Sequence, residues 1–332
     1  MFSQELYTAC QRASNIFITG PESLDGDSIG ACIALKEILA TFSTATIDIF
    51  GVPTHQYLHL HGIEHWKANC NPLSHYDVAI VVDGNRFRLH PVVEQAFDAA
   101  TTTVLIDHHK STDASVYDLA YLEPTAASTC TMIYDLLKKW NVPLTMAVAE
   151  ALYVGLIFDT GGFQHSNTTT AVHQMASELM STGFNANTAY IKVIKEKRPQ
   201  GWKLQSHMFS NSQLLEHNAI HMAYIRQQTM MDLNCDSGDI EGLVNDLRCT
   251  SGVHMAILII EKGSNELKVS LRSNPTYNGL DGVDCSVLAQ QLSSRGGGHA
   301  RAAGATVRIY DSFEETYKHI QHQVIQFFNA CM

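Results

Sequence analysis

Val104-Leu105-Ile106-Asp107-His108-His109 sets an apolar run directly against a carboxylate and two imidazoles. Buried strands read as short, continuous apolar runs rich in β-branched residues, so Asp107 stands where such a strand ends. The arrangement recurs upstream. Ile16-Phe17-Ile18-Thr19 precedes Asp25-Gly26-Asp27, and Val78 to Val82 runs into Asp83. Side chains at the carboxyl ends of neighbouring parallel strands converge on one crevice. Carboxylates and imidazoles gathered there suit hard to borderline divalent metals, and the pattern points to metal-assisted hydrolysis of a phosphate ester.

Helical periodicity separates these runs. Residues 26–42 carry Ile29, Ile33, Leu35, Ile38 and Leu39, and Gly30 is expected to let this helix approach the sheet. Residues 46–50 read as a strand, Pro91 opens a helix, and further helices are read over 127–140 and 144–158, the latter delivering Asp159. Strands alternating with helices predict an α/β fold, a mostly parallel sheet flanked by helices. Residues 168–212 are helical and more polar. Strand signals resume at 217–225, 253–260, 267–271 and 305–309, with a hairpin turn placed at Glu266-Leu267 and helices near 239–248, 284–293 and 311–329. The expected organisation is a metal-binding catalytic domain over 1–185, a helical linker over 186–213 and a smaller mixed α/β substrate-binding domain over 214–332, with a cleft between the domains.

The 332 residues carry a net charge of −11. That argues against a broad duplex-binding surface, which needs many cations along the phosphates. It leaves room for a small anionic substrate in a locally cationic pocket. No apolar run is long enough to span a bilayer. The first ten residues include Glu5 and lack the basic start of a secretory signal. The 8 cysteines are scattered without a C-x-x-C pair, as expected of free thiols in a reducing cytoplasm.

Singly, most clusters have a plain structural explanation. Asp-Gly-Asp makes turns and helix caps, Asp83 suits a cap or turn, and Asp159-Thr160-Gly161-Gly162 suits a helix C-terminus. Asp107-His108-His109 is more specific, because adjacent imidazoles cannot share one direction. One can ligate a metal while the other faces substrate. Taken together, the order Asp-x-Asp, Asp, Asp-His-His, Asp-Thr-Gly resembles the DHH phosphoesterase superfamily. Val269-Ser-Leu-Arg-Ser273 and Gly296-Gly-Gly-His-Ala-Arg-Ala-Ala-Gly304 resemble its DHH-associated C-terminal domain. Length, domain order and the glycine loop look most like the stand-alone nanoRNase/pAp-phosphatase branch.

The resemblance implies two divalent ions, Mn²⁺ by the ligand set, bridged by Asp83. Asp27, His108 and Asp159 would surround one ion and Asp25 would belong to the other. Asp107 would orient an imidazole and His109 would contact the scissile phosphate, so that His109, Asp107 and Asp83 carry the catalysis. Arg272, Ser273, Gly296, Gly297, Gly298 and His299 would bind substrate, through backbone N–H groups and a guanidinium fork, together with Arg88. Ser128 and Thr129 resemble the family's small-residue helix start, although a helix cap explains them equally well. The implied partners are short single-stranded oligonucleotides or small nucleotides, with no duplex DNA and no membrane; a homodimer is left open.

One position departs from the resemblance. The family's first motif opens with a histidine ligand four residues before the first aspartate, and here that position is Pro21. Glu22 or a water is the expected replacement. The histidines His55, His59, His61 and His65 are a further candidate, though they read more readily as a solvated face. Three functions compete: a phosphoesterase of short oligoribonucleotides and 3′-phosphoadenosine 5′-phosphate, a cyclic or linear dinucleotide phosphodiesterase, and a catalytically impaired nucleotide- or nucleic-acid-binding regulator.

Overall fold

The computed structural model describes residues 2–67, 75–110, 112–263, 265–275 and 282–331. The chain divides into two compact units, Met1–Glu196 and Lys197–Met332.

The first unit is built on a parallel sheet of β1 (Asn15–Thr19), β2 (Thr46–Phe50), β3 (Trp66–Lys67), β4 (Val78–Val82), β5 (Thr102–Asp107) and β6 (Leu119–Leu122). Their order is β3-β2-β1-β4-β5-β6. The sheet grows outward in opposite directions from β1 and β4, so the loops leaving those strands part at their carboxyl ends and open a crevice. Each central strand is buried on both faces. Ile16 and Ile18 join one core and Phe17 the other, which is why these strands are continuously apolar rather than alternating. The first core is closed by α1 (Phe2–Arg12), α2 (Gly26–Leu39), α4 (Thr129–Lys139), α5 (Met146–Asp159) and α6 (Thr170–Met180); α3 (Pro91–Asp98) closes the second. A short α7 (Ala186–Tyr190) runs into a π turn at Ile191–Lys195.

Nearly all of α2 is buried. The close approach made at Gly30 is to α5, not to the sheet: a Cβ there would lie 2.3 Å from the Ala151 carbonyl oxygen. The apolar spacing marked a helix over 26–42 and a close approach at Gly30, but could not say which neighbour came nearest.

The second unit carries α8 (Pro199–Ser210), β7 (Gln213–Leu215), β8 (Ile220–Ile225), α9 (Gln227–Asp232), α10 (Ser237–Ile240), α11 (Leu243–Arg248), β9 (Met255–Lys262), β10 (Glu266–Ser273), α12 (Cys285–Leu292), β11 (Gly297–His299), β12 (Ala302–Arg308) and α13 (Phe313–Cys331). Its sheet order is β11-β12-β10-β9-β8-β7. It is mixed, with β8 and β9 parallel and the other described pairs antiparallel. Glu266 and Leu267 pair with Lys262 and Glu261 inside the β9–β10 ladder, so the hairpin turn falls before them rather than on them. The helix expected near 239–248 is two, because Gly242 takes a left-handed φ of 78° between them. β6 had no clear sequence signal: it is a short, half-exposed edge strand without Val or Ile.

Candidate metal centre

Asp83 is placed by an unusual backbone. Its N–H still donates to Ile106 O at 3.0 Å, extending the β4–β5 ladder. Its own φ is 56°, a left-handed conformation that aspartate tolerates better than most residues. The chain therefore turns sharply where the strand ends. The side chain is buried, and its Oδ1 accepts from Thr129 Oγ1 at 3.3 Å.

Asp27 lies in the first turn of α2 and faces the N-terminus of α4. Its Oδ2 accepts from Thr129 N at 2.6 Å and its Oδ1 from Cys130 N at 2.9 Å. Those N–H groups have no partner within their own helix, and the positive end of the helix dipole favours the anion. Gly155 makes the room. A Cβ there would lie 2.6 Å from Asp27 Oδ1 and 2.3 Å from Cys130 Sγ.

His108 turns Nδ1 to the Ala126 carbonyl at 3.3 Å, which makes Nδ1 the donor and leaves Nε2 the ligating nitrogen. Nε2 is 3.2 Å from Asp159 Oδ2 and 3.5 Å from Asp83 Oδ1. Asp159 closes α5. Its carbonyl oxygen accepts from His165 Nδ1 at 3.0 Å and Asn167 Nδ2 at 3.2 Å, while its buried Oδ2 accepts no hydrogen bond of good geometry. Donor atoms of Asp27, His108 and Asp159 lie within 4.8 Å of one another, as do those of Asp83, His108 and His109. Asp107 is fully buried. Its Oδ1 accepts from His108 N at 2.9 Å and His109 Nδ1 at 2.7 Å, and its Oδ2 from Thr112 Oγ1 at 2.5 Å.

The electrostatics suit a cation. Among the described residues no lysine or arginine pairs with Asp27, Asp83 or Asp159; the nearby positive groups are the histidines. Burial, then repulsion from Asp25 and Asp27, holds the Asp83 carboxyl well above its ordinary range. Burial and the charge of Asp27 do the same to Asp159. For His108, burial works downward, but the hydrogen bond to Asp83 and the charges of Asp159, Asp27 and Asp83 carry it up to about 11. Asp107 is the contrast: burial pushes it up, and hydrogen bonding to His109, the His109 charge and Thr112 outweigh that and bring it below the usual range. Such a cluster retains protons until a divalent cation replaces them. The donor set, two imidazoles among carboxylates, fits such an ion, and Asp159 Oδ2, which faces His108 Nε2 at 3.2 Å but accepts no hydrogen bond of good geometry, is an open ligand position.

Asp25 is not brought into either donor group. It caps α2, with Oδ1 accepting from Asp27 N at 3.1 Å and Ser28 N at 3.0 Å. Pro21 is buried against Gly84, and Glu22 is exposed with its N–H donating to Arg88 O at 2.8 Å. Arg88 is exposed in a 3₁₀ turn after Asp83. His55, His59 and His61 follow β2 and join no donor group among the described residues; the side chain of His65 lies outside them. Ser128 caps α4.

In the second unit the ladder aligns Arg272 with Ala302, and Ala302 with His299. Cross-strand partners share a face, so a guanidinium and an imidazole flank one alanine. The next row on that face is Ser270, Gly304 and Gly297. The apolar side chains Leu271 and Ala303 enter the opposite core, and the core beneath α8 and α11 reaches only β8 and β9. The polar face of β10, β12 and β11 is thus half-exposed and floored by small residues. Arg272 donates Nε to Asn245 Oδ1 at 3.1 Å and Nη1 to its neighbour's carbonyl, Leu271 O, at 3.0 Å. Ser273 is buried, its N–H donating to Arg301 O at 3.1 Å. The glycine run is not an open loop. Gly297 and Gly298 belong to the edge strand β11, Gly298 with a φ of 136°, and Gly296 packs where a Cβ would strike the Ala289 carbonyl.

Sequence reasoning missed Gly155, Thr112, Asn167 and Asn245. Gly155 and Asn245 meet their partners from far along the chain, Asn167 acts through the Asp159 carbonyl, and Thr112 reaches back five residues to Asp107 from the loop after β5. Only the cap signal at Ser128 hinted at the α4 terminus that holds Asp27.

Residues 15–156 match the DHH family, N-terminal domain, and residues 219–329 match the DHHA1 domain. The chain is similar to the bifunctional oligoribonuclease and PAP phosphatase NrnA of Bacillus subtilis, 27% identical over 86% of this chain and 87% of the relative. It is also similar to the cyclic-di-AMP phosphodiesterase GdpP of the same organism, 24% identical over 99% of this chain but 50% of the relative. A solved exopolyphosphatase-related protein from Bacteroides fragilis shares the fold, with a TM-score of 0.86, 21% identity and coverage of 99% of this chain and 97% of that one.

Proposed function

We propose that the chain, a hydrolase of phosphoester bonds that carries a DHH family N-terminal domain and a DHHA1 domain, cleaves short oligoribonucleotides and 3′-phosphoadenosine 5′-phosphate with two Mn²⁺ ions. The observation that carries this reading is the convergence of Asp27, Asp83, His108 and Asp159 on one buried, cation-poor point. The relative matched over most of both chains bears both activities in its name, and this supports the substrate class.

Asp27, His108 and Asp159 would hold one ion, Asp83 would bridge, and Asp25 would serve the second through the oxygen that does not cap α2. Ions held there would polarise phosphoryl oxygens and lower the pKa of water. The chain's own part is positional. The α4 N-terminus and Gly155 fix Asp27, and the Ala126 carbonyl fixes the His108 ring. Asp107 engages His109 Nδ1, so that Nε2 is the nitrogen offered to a phosphoryl or leaving oxygen. Arg272, steadied by Asn245, together with Ser273, Gly296 and the β11 residues Gly297, Gly298 and His299, recognises a substrate phosphate.

No described helix is long and apolar enough to cross a membrane. The purified protein, given Mn²⁺, is to be offered pApA, 3′-phosphoadenosine 5′-phosphate and cyclic di-AMP in parallel. Release of AMP from the first two is expected. Cleavage of the cyclic compound alone would transfer the chain to the other branch, and binding without turnover in every metal would make it a regulator.

A further inference from the structure

Phe87 is 71% exposed, the highest value among the large apolar side chains described. A singly exposed apolar residue is ordinary; this one is held out on a pinned turn. Its N–H donates to Asn85 Oδ1 at 3.1 Å. On one side Arg86 N donates to Tyr117 Oη at 2.8 Å and its guanidinium pairs with Asp98 at 2.5 Å. On the other, Arg88 O accepts from Glu22 N at 2.8 Å, tying the turn to the loop that leaves β1. The turn follows Asp83 directly, at the carboxyl edge of the sheet. The Arg86 guanidinium carbon lies 5.6 Å from the ring centroid.

We propose that Phe87 is a stacking platform for a nucleobase of the substrate, with the exposed Arg88 supplying positive charge beside it while Arg86, paired with Asp98, anchors the turn. The inference rests on the nucleotide-hydrolase reading and deepens it. Base–aromatic stacking is indifferent to base identity, since every base has a π-face, and it gains from adjacent arginine. A ring carried on a backbone that is already tethered saves the cost of ordering the turn on binding. An exposed phenylalanine between two arginines is poorly explained by folding, because it buries little and leaves apolar area in water.

The test compares wild type, Phe87→Ala and Phe87→Trp on pApA and on a 5′-phosphorylated abasic dinucleotide. Phe87→Ala is expected to raise KM for pApA about 5- to 50-fold with kcat changed less than about twofold. Phe87→Trp should restore it, and the abasic compound should lose no more than about twofold. An unchanged KM for pApA, or an equal rise on the abasic compound, overturns the platform. Quenching of a 2-aminopurine dinucleotide on binding provides a second reading. Should wild type cleave no nucleotide yet quench the probe through Phe87, the hydrolytic reading falls and the platform stands. Absence of quenching in wild type ends the platform.

Discussion

The two units handle charge in opposite ways. The first buries carboxylates against one another and compensates them with histidines and a helix terminus. The second keeps its arginine and histidine on a half-exposed sheet face floored by glycine and alanine. Buried like charge is costly unless something binds it, so the first arrangement is stored strain awaiting a cation. The second also desolvates its guanidinium, with burial and the Arg248 charge both bringing Arg272 below its ordinary value, but it leaves that face half-exposed and so adaptable. Chemistry is therefore expected to fail abruptly when the first is altered, and recognition to fail gradually when the second is.

Asp83→Asn should break that contrast first if it is wrong. If Asp83 bridges two ions as proposed, its loss removes several kcal/mol of transition-state stabilisation, about 10³-fold or more in kcat. The same variant, freed of ions with chelator, should melt at a higher temperature than wild type, because burial and the charges of Asp25 and Asp27 oppose the ionised form. Activity lost together with apo stability would show that Asp83 serves packing.

Arg272→Ala should raise KM about 10- to 100-fold, as expected for a charge-assisted hydrogen bond worth about 1.5–3 kcal/mol, and leave kcat nearly intact. Asn245→Ala, which removes only the acceptor at Arg272 Nε, should move KM less. A collapse of kcat in either would place the second unit in the chemistry itself.

Gly155→Ala tests the packing that supports the buried cluster. The new methyl meets Asp27 Oδ1 and Cys130 Sγ, and overpacking of this kind costs about 1–3 kcal/mol. Displacing Asp27 should also weaken Mn²⁺ binding about tenfold, read by titration calorimetry.

The pH dependence follows from the same burial. Asp83 and Asp159 are raised acids. Their effect on stability is nil below the ordinary carboxylate value of about 3.9 and grows unfavourable as pH rises above it. His108, raised to about 11, stabilises the fold fully below its ordinary value of about 6.5 and loses that contribution as pH climbs through 11. Both trends have one sign: metal-free protein should melt at falling temperatures as pH rises from 4 to 9, and Mn²⁺ should reverse the trend. A melting temperature that is flat or rises with pH in the absence of metal would contradict the assignment.

The sequence made the first unit far more legible than the second. Val78–Val82 and Val104-Leu105-Ile106 are continuous apolar runs because helices cover both faces, and such runs end visibly at Asp83 and Asp107. The order of those clusters carried the family and the sheet. Gly155 and Asn245 were invisible because their meaning lies in what stands opposite them, and spacing along one chain does not encode that. The glycine run misled locally for a similar reason: composition suggested an open loop, and pairing with β12 made it a strand.

The smallest expected effect bears on Pro21, where the buried cluster is least complete. Pro21 packs about Gly84, its Cδ 3.4 Å from where a Cβ would stand, so it lies beside the residue following Asp83. Pro21→His adds an imidazole there at a cost of about 0.5 kcal/mol for the freed backbone. If the ion shared by Asp25 and Asp83 is the weaker one, calorimetry on wild type should show two unequal Mn²⁺ sites. The variant should tighten only the weaker, by about 3- to 10-fold for one added nitrogen ligand. Glu22→Ala reads the same site from the other side. Glu22 is exposed and tied to Arg88 only through its backbone, so its carboxylate can swing inward without breaking a contact of the turn. Loss of the weaker ion in Glu22→Ala, regained in the double variant, would make Glu22 the working substitute for histidine. Two tight ions retained in Glu22→Ala would leave water in that role, and an unchanged weaker site in Pro21→His would place the second ion away from this loop altogether.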